Sequence, residues 1–223
     1  MSVLSRWKAR LRVRRNLLRA ARRRHEANPT PESRRVIDDR KEQVAYAERV
    51  VERHDRDDRP RIVNLDLKPR EGSQLSPQGT LRAVTGHYTA GPVDQTDEQC
   101  EALLRGYDRA HKAKGWTMLG YAFAISRAGT IYLGRPATAI GAHVLNQNSG
   151  NVGIVCNGTT GDRPTAAQAR SLRWLLANAH TDALPKAWRV DLRGLPVKGH
   201  NDWMATACPG SFKRMYTSKG TKR

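Results

Sequence analysis

The chain has 223 residues, with 40 Lys+Arg against 21 Asp+Glu for a formal net charge of +19, and 38% hydrophobic and 6% aromatic residues. No run approaches the roughly 18 to 20 uncharged apolar residues of a membrane span, the basic N-terminus lacks the apolar core of a secretory signal, and an odd three cysteines (Cys100, Cys156, Cys208) do not make a disulfide framework. One or two domains made in soluble form are expected, and the charge calls for a polyanionic partner: nucleic acid, an anionic membrane face or an acidic cell wall.

Residues 1–60 hold 18 Lys+Arg and 10 Asp+Glu, a net of +8, and residues 61–223 hold 22 and 11, a net of +11. Up to Arg24 there are ten basic residues and no acid. Leu4, Trp7, Leu11 and Leu18 fall three, four and seven apart, which predicts a basic amphipathic helix. Asn28-Pro29-Thr30-Pro31 stops it and starts a second, with Thr30 as cap and Pro31 at the first position, where a missing N–H costs nothing. This second helix is expected from about Pro31 to His54, with Ile37, Val44 and Val51 at seven-residue spacing. The two would close into an antiparallel hairpin over residues 1–56, for which binding to wall polymers, membrane or nucleic acid, self-association, or a plain solvated extension are the alternatives. The charged, aperiodic run around 57–60 reads as a linker.

From residue 61 the texture changes. Runs rich in β-branched residues predict strands at Arg61–Leu67, Ala83–Tyr88, Ala122–Ser126, Thr130–Leu133 and Val152–Cys156. Helical patterns cover Thr96–Lys114 and Thr165–Ala179, and Arg127-Ala128-Gly129-Thr130 is a hairpin turn signal. Strands interleaved with helices predict one α/β domain over residues 61–218, a mixed central β-sheet flanked by helices, followed by a basic tail at 219–223.

Among seven histidines, context singles out three. His200, in Gly199-His200-Asn201-Asp202, and Cys208, in Ala207-Cys208-Pro209-Gly210, sit among turn-forming residues from which both can reach one metal ion. His87, at the end of the apolar run Ala83-Val84-Thr85, is where a strand delivers a side chain to the sheet's edge. Two neutral imidazoles and a thiolate suit Zn²⁺, and three protein ligands leave a fourth position open, as in catalytic sites; a closed structural site would need a fourth ligand, for which His143 is the candidate.

Five landmarks then occur in order: Gly120-Tyr121-Ala122-Phe123; Gly129-Thr130-Ile131-Tyr132-Leu133-Gly134-Arg135; Gly141-Ala142-His143-Val144; Asn148-Ser149-Gly150-Asn151-Val152-Gly153-Ile154; and Gly199-His200 through Thr206-Ala207-Cys208-Pro209-Gly210. Over roughly residues 80 to 212 this set resembles the zinc N-acetylmuramoyl-L-alanine amidases, which include phage endolysins and animal peptidoglycan recognition proteins. The resemblance implies their fold, with the N-terminal helical hairpin as an addition. It also implies His87, His200 and Cys208 as zinc ligands, Tyr121 as the catalytic tyrosine and Thr206 in the position of the lysine or threonine beside the metal. His143 matches the family's non-ligand histidine at the cleft; with Trp116 and Asn148 it completes the candidate substrate-binding residues, and it is also the candidate for proton transfer.

One departure stands out. Relatives that carry a glutamate after the Gly-Ile pair use it as proton acceptor; here Val155 follows Gly153-Ile154, and the Thr206 hydroxyl, far from neutral pKa, orients water or donates a hydrogen bond but is no general base. Cys100 and Cys156 are expected as buried small apolar residues, and Trp203, like Trp116, as a core or groove aromatic. The resemblance implies hydrolysis of the muramoyl–L-alanine amide of bacterial peptidoglycan by an endolysin made in the host cytoplasm without a signal peptide and acting at the wall after release, with residues 1–56 meeting anionic wall polymers. The alternatives are a non-enzymatic peptidoglycan-binding module, disfavoured because such members commonly lose the cysteine ligand, and a nucleic-acid binder acting through residues 1–24, which is not expected.

Overall fold

A computed structural model describes residues 3–57 and 59–217, with side chains from 6–51 and 59–217; the basic tail expected at 219–223 and the Leu4 side chain lie outside the described residues. The chain divides between Arg59 and Pro60 into two compact units.

In the first unit, α1 (Val3–Ala27) and α2 (Pro31–Asp57) form the hairpin. Leu11 meets Val44 and Ala47 in a small core extended by Trp7, Leu18 and Val51. Trp7 packs edge-on against Tyr46 at 5.9 Å, and Arg14 donates to the Gln43 carbonyl at 2.9 Å. The turn is built as its letters suggest: Thr30 Oγ1 accepts from the Ser33 N–H and Ser33 Oγ from the Thr30 N–H, both at 3.0 Å, which satisfies two otherwise orphaned donors at the start of α2. The helix continues three residues past the expected His54.

The second unit is a six-stranded mixed sheet in the order β1-β4-β3-β5-β2-β6, made of β1 (Ile62–Asn64), β2 (Ala83–Tyr88), β3 (Phe123–Ile125), β4 (Ile131–Leu133), β5 (Asn151–Cys156) and β6 (Val197–Gly199). Only β3 and β4 pair antiparallel, through the predicted hairpin, where Gly129 takes φ +95°; the other neighbours are parallel. β2 has the predicted bounds. The first strand is shorter than expected because Asp66 turns left-handed (φ +49°) and its N–H is taken by the Asn64 side chain, an Asx turn that ends the extended run. Helices α3 (Asp97–Ala113) and α4 (Ala166–Asn178) start on the threonine caps Thr96 and Thr165.

Alternation along each strand separates the two faces. Val84, Tyr88, Val152, Ile154, Cys156, Phe123, Ile125, Ile131 and Leu133 form the larger core, with α4 (Leu172, Leu175, Leu176) and the C-terminal segment (Phe212, Met215, Tyr216) against it. That last segment includes a short helix, α5 (Lys213–Thr217), which with β6 was not predicted. Tyr216 lies flat where a Cβ on Gly86 would stand, and its hydroxyl donates to the His87 carbonyl at 2.8 Å, so α5 buttresses β2 from behind. On the opposite face Val155, Ala124, Tyr132 and Leu65 meet Cys100 and Leu104 of α3. Thr85, His87 and Gly153 point to that second face by the same alternation, and the site is built around them. Cys100 and Cys156 are each buried, one in each core, as expected of small apolar residues.

Candidate active site

His87 is the fifth residue of β2, paired with Val155 of β5, and His200 directly follows β6, whose Gly199 pairs with Gly86. Parallel register thus sets the two imidazoles side by side, 4.6 Å between ring centres. Cys208 comes in from the turn before the 3₁₀ segment Gly210–Phe212; its Sγ lies 3.7 Å from His87 Nδ1 and accepts the Tyr88 N–H at 3.4 Å. One ligand atom from each of His87, His200 and Cys208 falls within 4.8 Å of the others.

This set fits Zn²⁺ on its own chemistry. Two imidazoles and a thiol are borderline and soft donors, and the buried His200 Nε2 has no hydrogen-bond partner among the described residues, a cost a closed protein site would not carry unanswered. The electrostatics agree. Burial, then the neighbouring His143 and His200, hold the His87 pKa well below the usual histidine value, and burial lowers that of His200. Both rings are therefore neutral at pH 7, with lone pairs to give. Burial pushes the Cys208 thiol up to about 11, against the opposing pull of the Tyr88 N–H. Below that pKa the free thiol holds its proton and a metal must displace it, while the histidines lose none. Zinc affinity is therefore expected to rise about tenfold per pH unit across the neutral range, with one proton released per ion bound; calorimetry in buffers of different ionisation enthalpy reads that proton count.

Tyr121 precedes β3, its ring centre 5.1 Å from that of His87. Burial, then the Cys208 sulfur, raise its pKa, so the phenol keeps its proton as a donor. Its approach is fixed from below: buried Asp108 accepts the Leu119 N–H at 2.7 Å, and Arg135 donates to the carbonyls of Met118, Leu119 and Ile140, each at 2.9 Å. Trp116, 37% exposed, stacks on His111 at 4.5 Å, and His111 in turn accepts the Gly120 N–H at 3.2 Å and lies 6.1 Å from Tyr121. Thr206 Oγ1 accepts the Cys208 N–H at 3.2 Å.

The remaining candidates are placed more deeply. His143 is buried, between His87 and β5. Asn148 Oδ1 is taken by the N–H groups of His143 and Val144 at 2.8 and 2.9 Å, so this side chain ties the loop. Val155, where a carboxylate would have stood, is fully buried in the apolar cluster beneath His87. Trp203 donates to Thr85 Oγ1 at 2.8 Å and carries the Lys198 ammonium 4.0 Å from its ring centre. Asp108, His111, Arg135, the Tyr88 N–H and the Asn151 carbonyl are positioning groups that sequence reading missed. A buried-charge argument could have found the first and third; backbone groups carry no letter.

A mixed sheet that brings two imidazoles, a thiol and a protonated phenol together defines an α/β domain with a candidate metal-binding centre. The chain belongs to the N-acetylmuramoyl-L-alanine amidase family, whose sequence profile matches residues 77–211. Among its relatives, the endolysin of Enterobacteria phage T3 is 32% identical over 142 residues, spanning 61% of this chain and 85% of the phage protein. Peptidoglycan-recognition protein SC2 of Drosophila melanogaster is 33% identical over 141 residues, 62% and 73% of the respective chains. Among solved structures, the N-acetylmuramoyl-L-alanine amidase LysC from Clostridium intestinale superposes with a TM-score of 0.52 at 30% identity, covering 68% of this chain and 89% of its own. Drosophila PGRP-LB does so with 0.58 at 26%, covering 70% and 91%.

Proposed function

We propose that this protein is a zinc-dependent N-acetylmuramoyl-L-alanine amidase of the endolysin type, with His87, His200 and Cys208 as the ligands. The observation that carries the reading is the convergence of those three donors within 4.8 Å beside Tyr121. Zinc held there supplies Lewis-acid activation of water and of the scissile carbonyl. In the reaction, a water oxygen bonds to the lactyl carbonyl carbon, the C–N bond to L-alanine breaks, and the departing nitrogen takes a proton, leaving a carboxylate on the muramic acid and a free amino terminus on the peptide.

The chain's residues prepare each of these changes. Tyr121, kept protonated by burial, donates to the oxygen that gains charge in the tetrahedral transition state. Thr206 uses its lone pair on the Cys208 N–H and keeps its own O–H to orient water or substrate. Trp116 offers an aromatic wall on the Tyr121 side. With Val155 in the glutamate position, no carboxylate serves as base there. Removing bound metal with a chelator is expected to abolish hydrolysis and Zn²⁺ to restore it; full activity in metal-free protein would contradict zinc dependence.

Bacterial peptidoglycan is the substrate, and the N-terminal hairpin is the wall-targeting element. Its first helix carries only basic charge up to Arg24 and leaves Val13 and Leu17 exposed, a surface matched to anionic wall polymers. Deleting residues 1–59 is expected to leave hydrolysis of soluble muropeptides intact while slowing lysis of whole cell walls, the more so at low ionic strength. Equal lysis by both forms would remove the hairpin from targeting.

A further inference from the structure

His143 fills a seat made for it. The residue is 7% exposed. The beta carbon of any residue larger than glycine would come within 2.5 Å of its Cδ2 from position 141 and 2.6 Å from position 153, so Gly141 and Gly153 provide the room. Asn148 holds its backbone N–H at 2.8 Å. Both ring nitrogens are engaged: Nε2 lies 3.1 Å from the Asn151 carbonyl oxygen, and Nδ1 lies 3.1 Å from His87 Nε2.

The proton positions follow from one backbone group. A carbonyl oxygen only accepts, so His143 Nε2 carries a hydrogen. A neutral imidazole has one N–H, which leaves Nδ1 bare and able only to accept. His87 Nε2 must then carry the hydrogen of the shared bond, and the neutral His87 ring presents a bare Nδ1, the nitrogen that lies 3.7 Å from Cys208 Sγ. We propose that His143 is a positioning residue: backed by the Asn151 carbonyl, it fixes the tautomer and orientation of His87 so that the lone pair on Nδ1 faces the metal position. The proposal rests on the zinc reading of the site, and it reassigns His143 from proton transfer at the substrate to support of a ligand. Such supporting bonds set which nitrogen of a histidine ligates and raise its basicity.

The full-length, metal-free protein gives the direct test. Long-range ¹H–¹⁵N correlation spectra are expected to show His87 protonated at Nε2 and bare at Nδ1; an Nδ1-protonated or averaged ring overturns the proposal. Two variants test the energetics. His143→Leu removes the acceptor, whereas His143→Asn places an amide oxygen near the position of Nδ1. Zn²⁺ affinity, measured by competition with a chromophoric chelator, is expected to fall about 10- to 100-fold in H143L and to recover most of that loss in H143N. Wild-type affinity in H143L, or an H143N variant that is folded by circular dichroism and as weak as H143L, overturns it. If H143L does not fold, the wild-type tautomer and the H143N affinity decide. A wild-type protein that binds no zinc would instead refute the zinc reading, with the tautomer measurement still judging the role of His143.

Discussion

Replacing Cys208 with alanine is expected to lower amidase turnover by about 10³-fold or more, a loss of roughly 4 kcal/mol of transition-state stabilisation, together with the bound zinc. In the proposed zinc centre Cys208 is the one donor of the three that binds as an anion. Removing it leaves two neutral imidazoles from the ends of β2 and β6, and a centre with two protein ligands holds the ion poorly. The sulfur is partly buried against the larger core, and its loss removes one atom from a turn, so the variant should unfold at nearly the denaturant concentration of the metal-free wild type. That pairing separates ligand loss from misfolding. A C208A variant that keeps stoichiometric zinc and wild-type turnover would show that the sulfur is not a ligand.

Tyr121→Phe is expected to reduce kcat by about 10²- to 10³-fold while zinc content and KM change little. Loss of one donor to a developing oxyanion costs about 3–4 kcal/mol, felt in the transition state and not in the ground state. The ring itself stays: Phe keeps the contact with His87 and with the apolar cluster of Leu65, Leu104 and Val155, so folding and metal binding are preserved. Full activity in the variant would remove the phenol from the mechanism.

The parts of the molecule that could be read from sequence are those where chemistry is carried by side-chain type and period. The hairpin showed itself through seven-residue apolar spacing and a Pro-bracketed stop, and β2 through a run rich in β-branched residues that the structure buries throughout. The three side chains that converge at the candidate metal centre could be picked out because His and Cys among turn residues are few, and because the ordered landmarks resemble one family. β6 was not visible: three residues, Val197–Gly199, after Pro196 and at the sheet's edge, carry no alternation to count. Nor was α5, whose five residues are shorter than two helical turns. Inside the site the missed groups were largely backbone. The Asn151 carbonyl and the Tyr88 N–H act through register and turn geometry, which the sequence encodes only by way of the whole fold. His111 had no motif around it, and its place under Trp116 comes from the packing of α3.

Amidase action breaks one bond, the muramoyl–L-alanine amide, and the chemistry of the ends released from it identifies the reaction. Purified peptidoglycan incubated with the zinc-loaded protein is expected to yield new L-alanine amino termini in step with loss of turbidity, with no new reducing sugar ends. Release of reducing ends without amino termini would identify a glycosidase and contradict amidase activity.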